Sequence, residues 1–161
     1  MIDEILNIVN VDDIKSKIEC LADANFQCFQ ANMRIIELRK DEESHTKWKQ
    51  ISDNEYIART VGEKRVAAKA EINSTIASLY PKSNDGAISS WTDDDIVYSV
   101  GEMIDRILIE DIKQTWFLDI KENEKYKKSR DWQNRVLDFL RKKFVQIRKH
   151  GYESIEEMRT Y

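Results

Sequence analysis

The sequence has little of what sheet proteins and irregular chains depend on. Only 1 proline and 4 glycines occur among its 161 residues, so few turns can use a fixed or a positive φ angle. Hydrophobic residues make up 41% of the chain and charged residues 35%, and the apolar residues recur at helical spacing. This composition favours an all-α protein with a charged surface over a β-rich or disordered one.

Several kinds of functional motif are also missing. The chain has no glycine-rich loop that would cradle phosphates, and neither His45 nor His150 has a catalytic partner in the sequence. Cys20 and Cys28 lie eight residues apart on one predicted helix, which is too far for a disulfide, and no Cys-x-x-Cys pair suggests zinc. Both cysteines are predicted to be small core residues.

Membrane and secretion signals are absent from the sequence as well. No apolar run approaches the roughly 18 residues that a membrane span requires. Residues 1–9 lack the basic region and the long apolar stretch of a secretory signal. The sequence therefore predicts a cytoplasmic protein without a membrane segment.

Apolar periodicity and capping residues predict four long helices. They are expected over about residues 12–40, 52–80, 92–118 and 132–150, with a short amphipathic helix around Ile155 and Met158 at the end. Ser52 and Thr92 each begin a capping box, and Gly151 would end the fourth helix. Loops are expected at residues 41–50 and 121–130, the latter as a loop or a frayed helix. The whole is interpreted as an all-α, single-domain, mostly antiparallel bundle over residues 1–161.

The third predicted helix carries polar residues inside an apolar sequence. Gly101 costs about 1 kcal/mol relative to alanine in a helix interior. Glu102 and Asp105 have i, i+3 spacing and share one helix face, and Arg106 follows them directly. Either a neighbouring helix or a ligand must supply partners for these groups.

The tripeptide Val-Gly-Glu occurs twice, at residues 61–63 and 100–102. Mid-helix glycines let two backbones approach closely, so the second and third helices are expected to cross near Gly62 and Gly101. That crossing would bring Glu63 towards Glu102. Whether the repeat records a duplication is left open by so few identities.

Oxygen ligands for Mg²⁺ would come from Glu63, Glu102 and Asp105 together. Arg65 and Arg106 would then bind phosphate oxygens. The E-x-x-D spacing of Glu102 and Asp105 resembles a motif of the all-helical nucleotide pyrophosphohydrolases of the MazG and dimeric dUTPase type. That resemblance implies a helical fold, bound Mg²⁺ and nucleotide hydrolysis. No E-x-x-E motif, the second motif of those enzymes, lies upstream of it. The favoured alternative is structural: Asp105 and Arg106 pair with adjacent helices, and Glu102 is exposed.

A second resemblance covers residues 100–113, which read VGEMIDRILIEDIK. This segment is similar to the GExID(R/K)xxILxxK helix of uncharacterised bacterial helical domains. The resemblance implies a helical fold, and it implies no particular activity because none is assigned to those domains.

Two asparagines flank the apolar stripe of the first helix. Asn25 and Asn32 are seven residues apart, and a buried asparagine must be hydrogen-bonded. We expect one of them to be partly exposed and the other to bond to a neighbouring backbone. The alternative is that both set the helix register or face one pocket.

Charge is distributed unevenly along the chain. Residues 121–150 contain 11 Lys and Arg against 4 Asp and Glu, a balance of +7, whereas residues 1–120 contain 14 against 23, a balance of −9. A basic helix over residues 130–149 would suit nucleic acid or an acidic protein. The favoured interpretation is that the lysines form a solvated face or compensate the acidic helices within the fold.

No catalytic set assembles in the sequence, so the favoured hypothesis is a small cytoplasmic helical protein that binds another macromolecule, with another protein as the expected partner. It would act as a regulator, accessory protein or inhibitor of bacterial or phage type, without a cofactor. Its expected contact residues are Arg141, Lys142, Lys143, Arg148, Trp48 and Trp91. The first alternative is a Mg²⁺-dependent nucleotide enzyme with Glu63, Glu102 and Asp105 as metal ligands and Arg106 on phosphate. The second is nucleic-acid binding through the basic helix, and the apolar stripes would also allow a homodimer.

Overall fold

The computed structural model describes residues 1–82 and 98–153. All of the regular secondary structure assigned over these ranges is helical, which confirms the all-α prediction. The helices are α1 Ile2–Val9, α2 Lys15–Leu38, α3 His45–Leu79, α4 Val100–Asp119 and α5 Asn123–His150, and a 3₁₀ turn at Asp12–Ile14 precedes α2. None of these helices combines the length and the apolarity needed to cross a bilayer.

The bundle is built from two helical hairpins. α2 packs along α3, and α4 packs along α5. α4 also lies against both α2 and α3, while α1 packs on α5 and α2. The main core lies where the two hairpins meet, and all five helices contribute fully buried side chains to it, among them Ile5, Leu21, Ile72, Ile104 and Leu140.

α3 begins seven residues earlier than predicted, so the expected loop at residues 41–50 is wrong in its second half. Ser44 has extended backbone, and its hydroxyl accepts a hydrogen bond from the backbone N–H of Lys47 at 3.0 Å. Ser44 is therefore the N-cap, and Ser52 lies inside the helix. The polar composition of residues 45–50 concealed this start. Lys47 is buried, and its burial is tolerated because its ammonium donates to the Asp41 carbonyl at 2.9 Å.

Two other segments are more helical than expected. Residues 123–130, predicted as a loop or frayed helix, form the first turns of α5. Residues 2–9 form α1, a helix that was not predicted from the sequence. Ile5 and Val9 are fully buried, so the docking of a short apolar stripe against α5 and α2 stabilises a helix that is too short to be stable alone.

Some predictions fall outside the described residues. These are the Thr92 cap, Trp91 and the short helix around Ile155 and Met158. The start of α4 is described from Ser99, whose hydroxyl accepts a hydrogen bond from the backbone N–H of Glu102 at 3.0 Å. Ser99 is therefore the N-cap that the structure shows for this helix.

The two mid-helix glycines differ in what surrounds them. A Cβ atom on Gly101 would lie 2.7 Å from the carbonyl oxygen of Lys69, so α4 touches the backbone of α3 at this point. A Cβ atom on Gly62 would meet nothing within 4 Å. The close approach predicted at both glycines is therefore found only at Gly101. The crossing lies at Lys69, two helical turns from Gly62.

Alanine at the two glycines should change stability in opposite directions. Gly62→Ala removes a helix-interior glycine without a clash and should raise the free energy of unfolding by about 1 kcal/mol. Gly101→Ala must push α4 away from α3 and should lower it by about 2 kcal/mol. Chemical denaturation of both variants measures the two effects. Equal effects would contradict a close approach confined to Gly101.

Candidate functional site

A network of charged side chains is buried where α4 crosses α2 and α3. The contact at Gly101 brings the carboxylates on the first turns of α4 directly against α3. Glu102 is 6% exposed and Asp105 is 1% exposed. The charge network comprises Asn25 on α2, Arg65 and Lys69 on α3, and Glu102, Asp105 and Arg106 on α4.

The carboxylate of Asp105 is held from two helices. Asn25 Nδ2 donates to Oδ1 at 2.8 Å, and Arg65 Nη2 donates to Oδ2 at 2.8 Å. Lys69 Nζ lies 4.0 Å from the same Oδ2 atom. One buried side chain of α4 thus connects α2 with α3, and its removal would leave the largely buried guanidinium of Arg65 without its counter-charge.

Glu102 is also enclosed by cations. Lys69 Nζ donates to Oε2 at 2.7 Å, and Arg106 Nε donates to Oε1 at 3.0 Å. Burial disfavours the ionised form, but the hydrogen bonds and charges of Lys69 and Arg106 outweigh it and lower the pKa of Glu102 from its ordinary value of 4.5. The structural alternative was therefore wrong in two respects: Glu102 is buried, and Arg106 pairs with its own helix.

α2 contributes polar groups to the edge of this network. Burial disfavours the charged guanidinium of Arg65, but the charge and hydrogen bond of Asp105, with a smaller contribution from Cys28, raise its pKa. Cys28 is half-buried and accepts from Asn32 Nδ2 at 3.6 Å, whereas Cys20 is exposed. The prediction that both cysteines lie in the core is wrong.

Asn32 is exposed as expected for one asparagine, and Asn25 bonds to a carboxylate rather than to backbone.

Lys69 occupies the position that a cation bridging Glu102 and Asp105 would take. Glu63 is exposed and, two residues before Arg65, lies on a different face of α3, so the structure does not bring it to the other two carboxylates. Within residues 1–82 and 98–153, no group of three or more His, Cys, Asp or Glu could hold a metal ion. Mg²⁺ at the E-x-x-D pair would have to displace the ammonium of Lys69.

A second set of hydrogen bonds fixes the first turn of α4. The backbone N–H of Gly101 donates to Asn73 Oδ1 at 2.8 Å, and the hydroxyl of Tyr152 donates to the same oxygen at 2.9 Å. The Val100 N–H donates to that hydroxyl at 3.1 Å. Gly151 ends α5 as predicted, with a φ angle of 82°, and so directs Tyr152 towards α4. Tyr152 was not predicted from the sequence, where its one signal is its place directly after the helix-ending glycine.

Two of the basic residues expected to contact a partner hold α1 in place instead. Arg141 donates to Glu4 Oε1 at 3.1 Å, with its other terminal nitrogen bonded to Asp138 at 2.7 Å. Arg148 donates to the Ile8 carbonyl at 2.8 Å, at the C-terminal end of α1. An arginine there satisfies carbonyl groups that the helix leaves unpaired. These contacts favour the interpretation that α5 compensates acidic and polar groups within the fold.

The other two basic residues differ from each other. Lys143 is 7% exposed and donates to the backbone carbonyl of Tyr98. Lys142 is exposed, lies 5.9 Å from the ring centroid of Phe139 and forms no ion pair within the described part of the chain. The outer face of α5 alternates basic residues with acidic ones, namely Lys128, Arg135, Lys142 and Lys149 with Glu124, Asp131 and Asp138. Nucleic-acid binding through α5 stays a prediction, and it would rest on Lys142 and the lysines in line with it.

The end of the α2–α3 hairpin is covered less than the rest of the bundle. Its buried apolar cluster is separate from the main core and consists of Ile35, Leu38 and Ile51. Trp48, one of the expected contact residues, is 54% exposed here and donates through its ring nitrogen to Glu43 at 2.7 Å. It lies in the first turn of α3 and not in a loop.

A second apolar stripe runs along α2 at the same end. We call Phe26, Phe29, Met33 and Ile36 the α2 stripe; they are spaced by three and four residues, as on one helix face. Phe26 is 50% exposed and Ile36 is 48% exposed. The ring of Trp116, near the end of α4, packs edge-on against Phe29 with centroids 6.1 Å apart. The stripe therefore begins beside α4 and continues beyond it.

Comparison with known proteins adds no relative to this picture. No family model, curated protein or solved structure matches the chain. The resemblances to nucleotide pyrophosphohydrolases and to uncharacterised bacterial helical domains are therefore not confirmed.

Asp105→Asn should strongly destabilise the protein, because Arg65 and Lys69 would lose a buried counter-charge. The free energy of unfolding should fall by about 3 kcal/mol or more. Asp111→Asn, which changes an exposed carboxylate on the same helix, is the control and should alter it by less than about 0.5 kcal/mol. Urea denaturation compares the two. The metal-ligand hypothesis predicts instead an intact fold for Asp105→Asn.

The lowered pKa of Glu102 predicts a specific pH dependence of stability. Its contribution is fully present above the ordinary value of 4.5 and is lost as the pH falls through the folded-state pKa. Glu102→Gln should therefore destabilise the protein at neutral pH, and its deficit should shrink under acidic conditions. Glu63→Gln, at an exposed site, should keep a constant difference from the unmodified protein. Denaturation midpoints across a pH series test this, and a constant deficit for Glu102→Gln would contradict it.

Proposed function

We propose that this chain is a protein-binding module whose contact surface is the α2 stripe together with the adjoining end of α4. The observation that carries the proposal is the half-exposure of Phe26 and Ile36 on a helix whose other sides are used by α3 and α4. Scattered apolar side chains are normal on a protein surface, but a contiguous patch is typical of interaction sites.

The end of α4 enlarges the apolar surface beside the stripe. Trp116 and Phe117 are half-buried, with ring centroids 5.3 Å apart. Leu118 is 52% exposed and Ile120 is 44% exposed. Aromatic side chains of this kind supply much of the binding energy in protein interfaces. The contact between Phe29 and Trp116 therefore joins apolar side chains of two helices from different hairpins.

The energetic gain from covering this surface is substantial. Full burial of a Phe or Ile side chain is worth about 1.5 to 3 kcal/mol, so covering the exposed halves of Phe26 and Ile36 would contribute roughly 1 kcal/mol each. The basic residues first expected to bind a partner offer less, because Arg141, Lys143 and Arg148 already have partners inside the fold. The proposed class of function, binding of another protein, is the one favoured from the sequence. The proposed contact surface is the α2 stripe and not the basic residues of α5.

Site-specific photo-crosslinking tests the proposal in the cell that makes the protein. A photoreactive amino acid at Ile36 should give an adduct of one defined mass, because this position is a half-exposed member of the proposed contact. The same amino acid at Val145, which is 47% exposed on α5, is the control and should give none. Adding Phe26→Ser to the Ile36 variant should reduce the yield at least several-fold. Equal labelling at both positions, or none at Ile36, would overturn the proposal.

A further inference from the structure

The spacing of the α2 stripe is symmetric about Ala31. Phe29 and Met33 lie two residues from it, and Phe26 and Ile36 lie five residues from it. A second α2 that is turned end for end would therefore set Phe26 against Ile36 and Phe29 against Met33. This is the layer pairing of an antiparallel coiled coil, in which every apolar knob meets an apolar partner.

The charges that flank the stripe fit the same arrangement. Exposed residues of both signs border it, namely Asp23, Arg34, Glu37, Arg39 and Lys40. A border of mixed charge gives no preference for a strongly acidic or basic partner. Antiparallel docking about Ala31 places Arg39 of one copy beside Asp23 of the other, whereas parallel docking would place two copies of Arg39 together.

The existing contact between α2 and α4 points to where a second copy would lie. Ala22 shares a groove of about 320 Å³ with Leu108 and Ile112, and Phe29 contacts Trp116. α4 thus covers this side of α2 as far as Trp116, and a helix laid on the α2 stripe would continue that cover. Antiparallel docking also keeps the α4–α5 hairpins of the two copies at opposite ends.

From the symmetric spacing, the mixed flanking charges and the continuity with the α2–α4 contact, we infer that the occupant of the α2 stripe is a second copy of this chain, docked antiparallel. This inference rests on the proposed function and names its partner. Each hairpin end buries only a small apolar cluster on its own. Pairing two hairpin ends would enclose the stripes in a four-helix layer with a larger core.

Sedimentation of the purified full chain tests the inference. We expect a dimer at micromolar concentration, and the double variant Phe26→Ser/Ile36→Ser should raise the dimer dissociation constant by about 100-fold or more. Val145→Ser is the matched control and should stay dimeric. Circular dichroism should show the same helical content in all three proteins, so that loss of the dimer is not loss of the fold.

Cysteine crosslinking tests the direction of docking. In a Cys20→Ala/Cys28→Ala background, Phe26→Cys mixed with Ile36→Cys should form the mixed disulfide in preference to either homodimer. Preferred homodimers would instead indicate parallel docking and overturn the antiparallel arrangement. A chain that sediments as a monomer while the Ile36 adduct contains another protein would overturn the second copy and leave the proposed function standing. A monomer without any Ile36 adduct would overturn both.

Discussion

The structure depends on a buried contact between opposite charges at the point where α4 meets the α2–α3 hairpin. Burial of Glu102, Asp105 and Lys69 carries a desolvation cost that Coulomb attraction offsets only when the geometry is good and the remaining hydrogen-bonding positions are filled. Both carboxylates meet that condition. Both oxygens of each carboxylate accept hydrogen bonds at 2.7–3.0 Å, from two charged donors at Glu102 and from one charged and one amide donor at Asp105. Few relative positions of the helices would satisfy these groups together.

Polar contacts restrict the other side of α4 in the same way. Glu110 is 7% exposed and accepts from the Ser129 hydroxyl at 2.6 Å, and Gln133 donates to the Ile107 carbonyl at 3.0 Å. α4 is thus fixed to α5 by one set of directional bonds and to α2 and α3 by another. Apolar packing alone would tolerate a slip of one helical turn more readily than these groups would, since a slip would leave them buried and unpaired.

The sequence indicated part of this arrangement and concealed the rest for physical reasons. Polar residues within the apolar sequence of α4 correctly signalled that Glu102 and Asp105 need partners. The partners of these carboxylates were not predictable. The sequence alone indicates that a lysine such as Lys69 lies on the surface, and this changes only when the crossing point of the two helices is known. The repeat of Val-Gly-Glu suggested Gly62 as that point, and close approach to the Lys69 backbone decided otherwise. The α2 stripe was missed for a related reason: α2 has two apolar sides, and the periodicity that faces α3 hides the second.

The buried network and the exposed stripe are mechanically connected. Phe26 and Phe29 follow Asn25 within about one turn of α2, and Trp116 lies three turns beyond Asp105 on α4. Asp105 joins α4 to α2, and the ring of Trp116 contacts Phe29 between the same two helices. A surface assembled from two separate hairpins would otherwise lose conformational freedom on binding, and that loss would oppose association. The Asn25–Asp105 hydrogen bond therefore restrains the two helices that carry the apolar side chains.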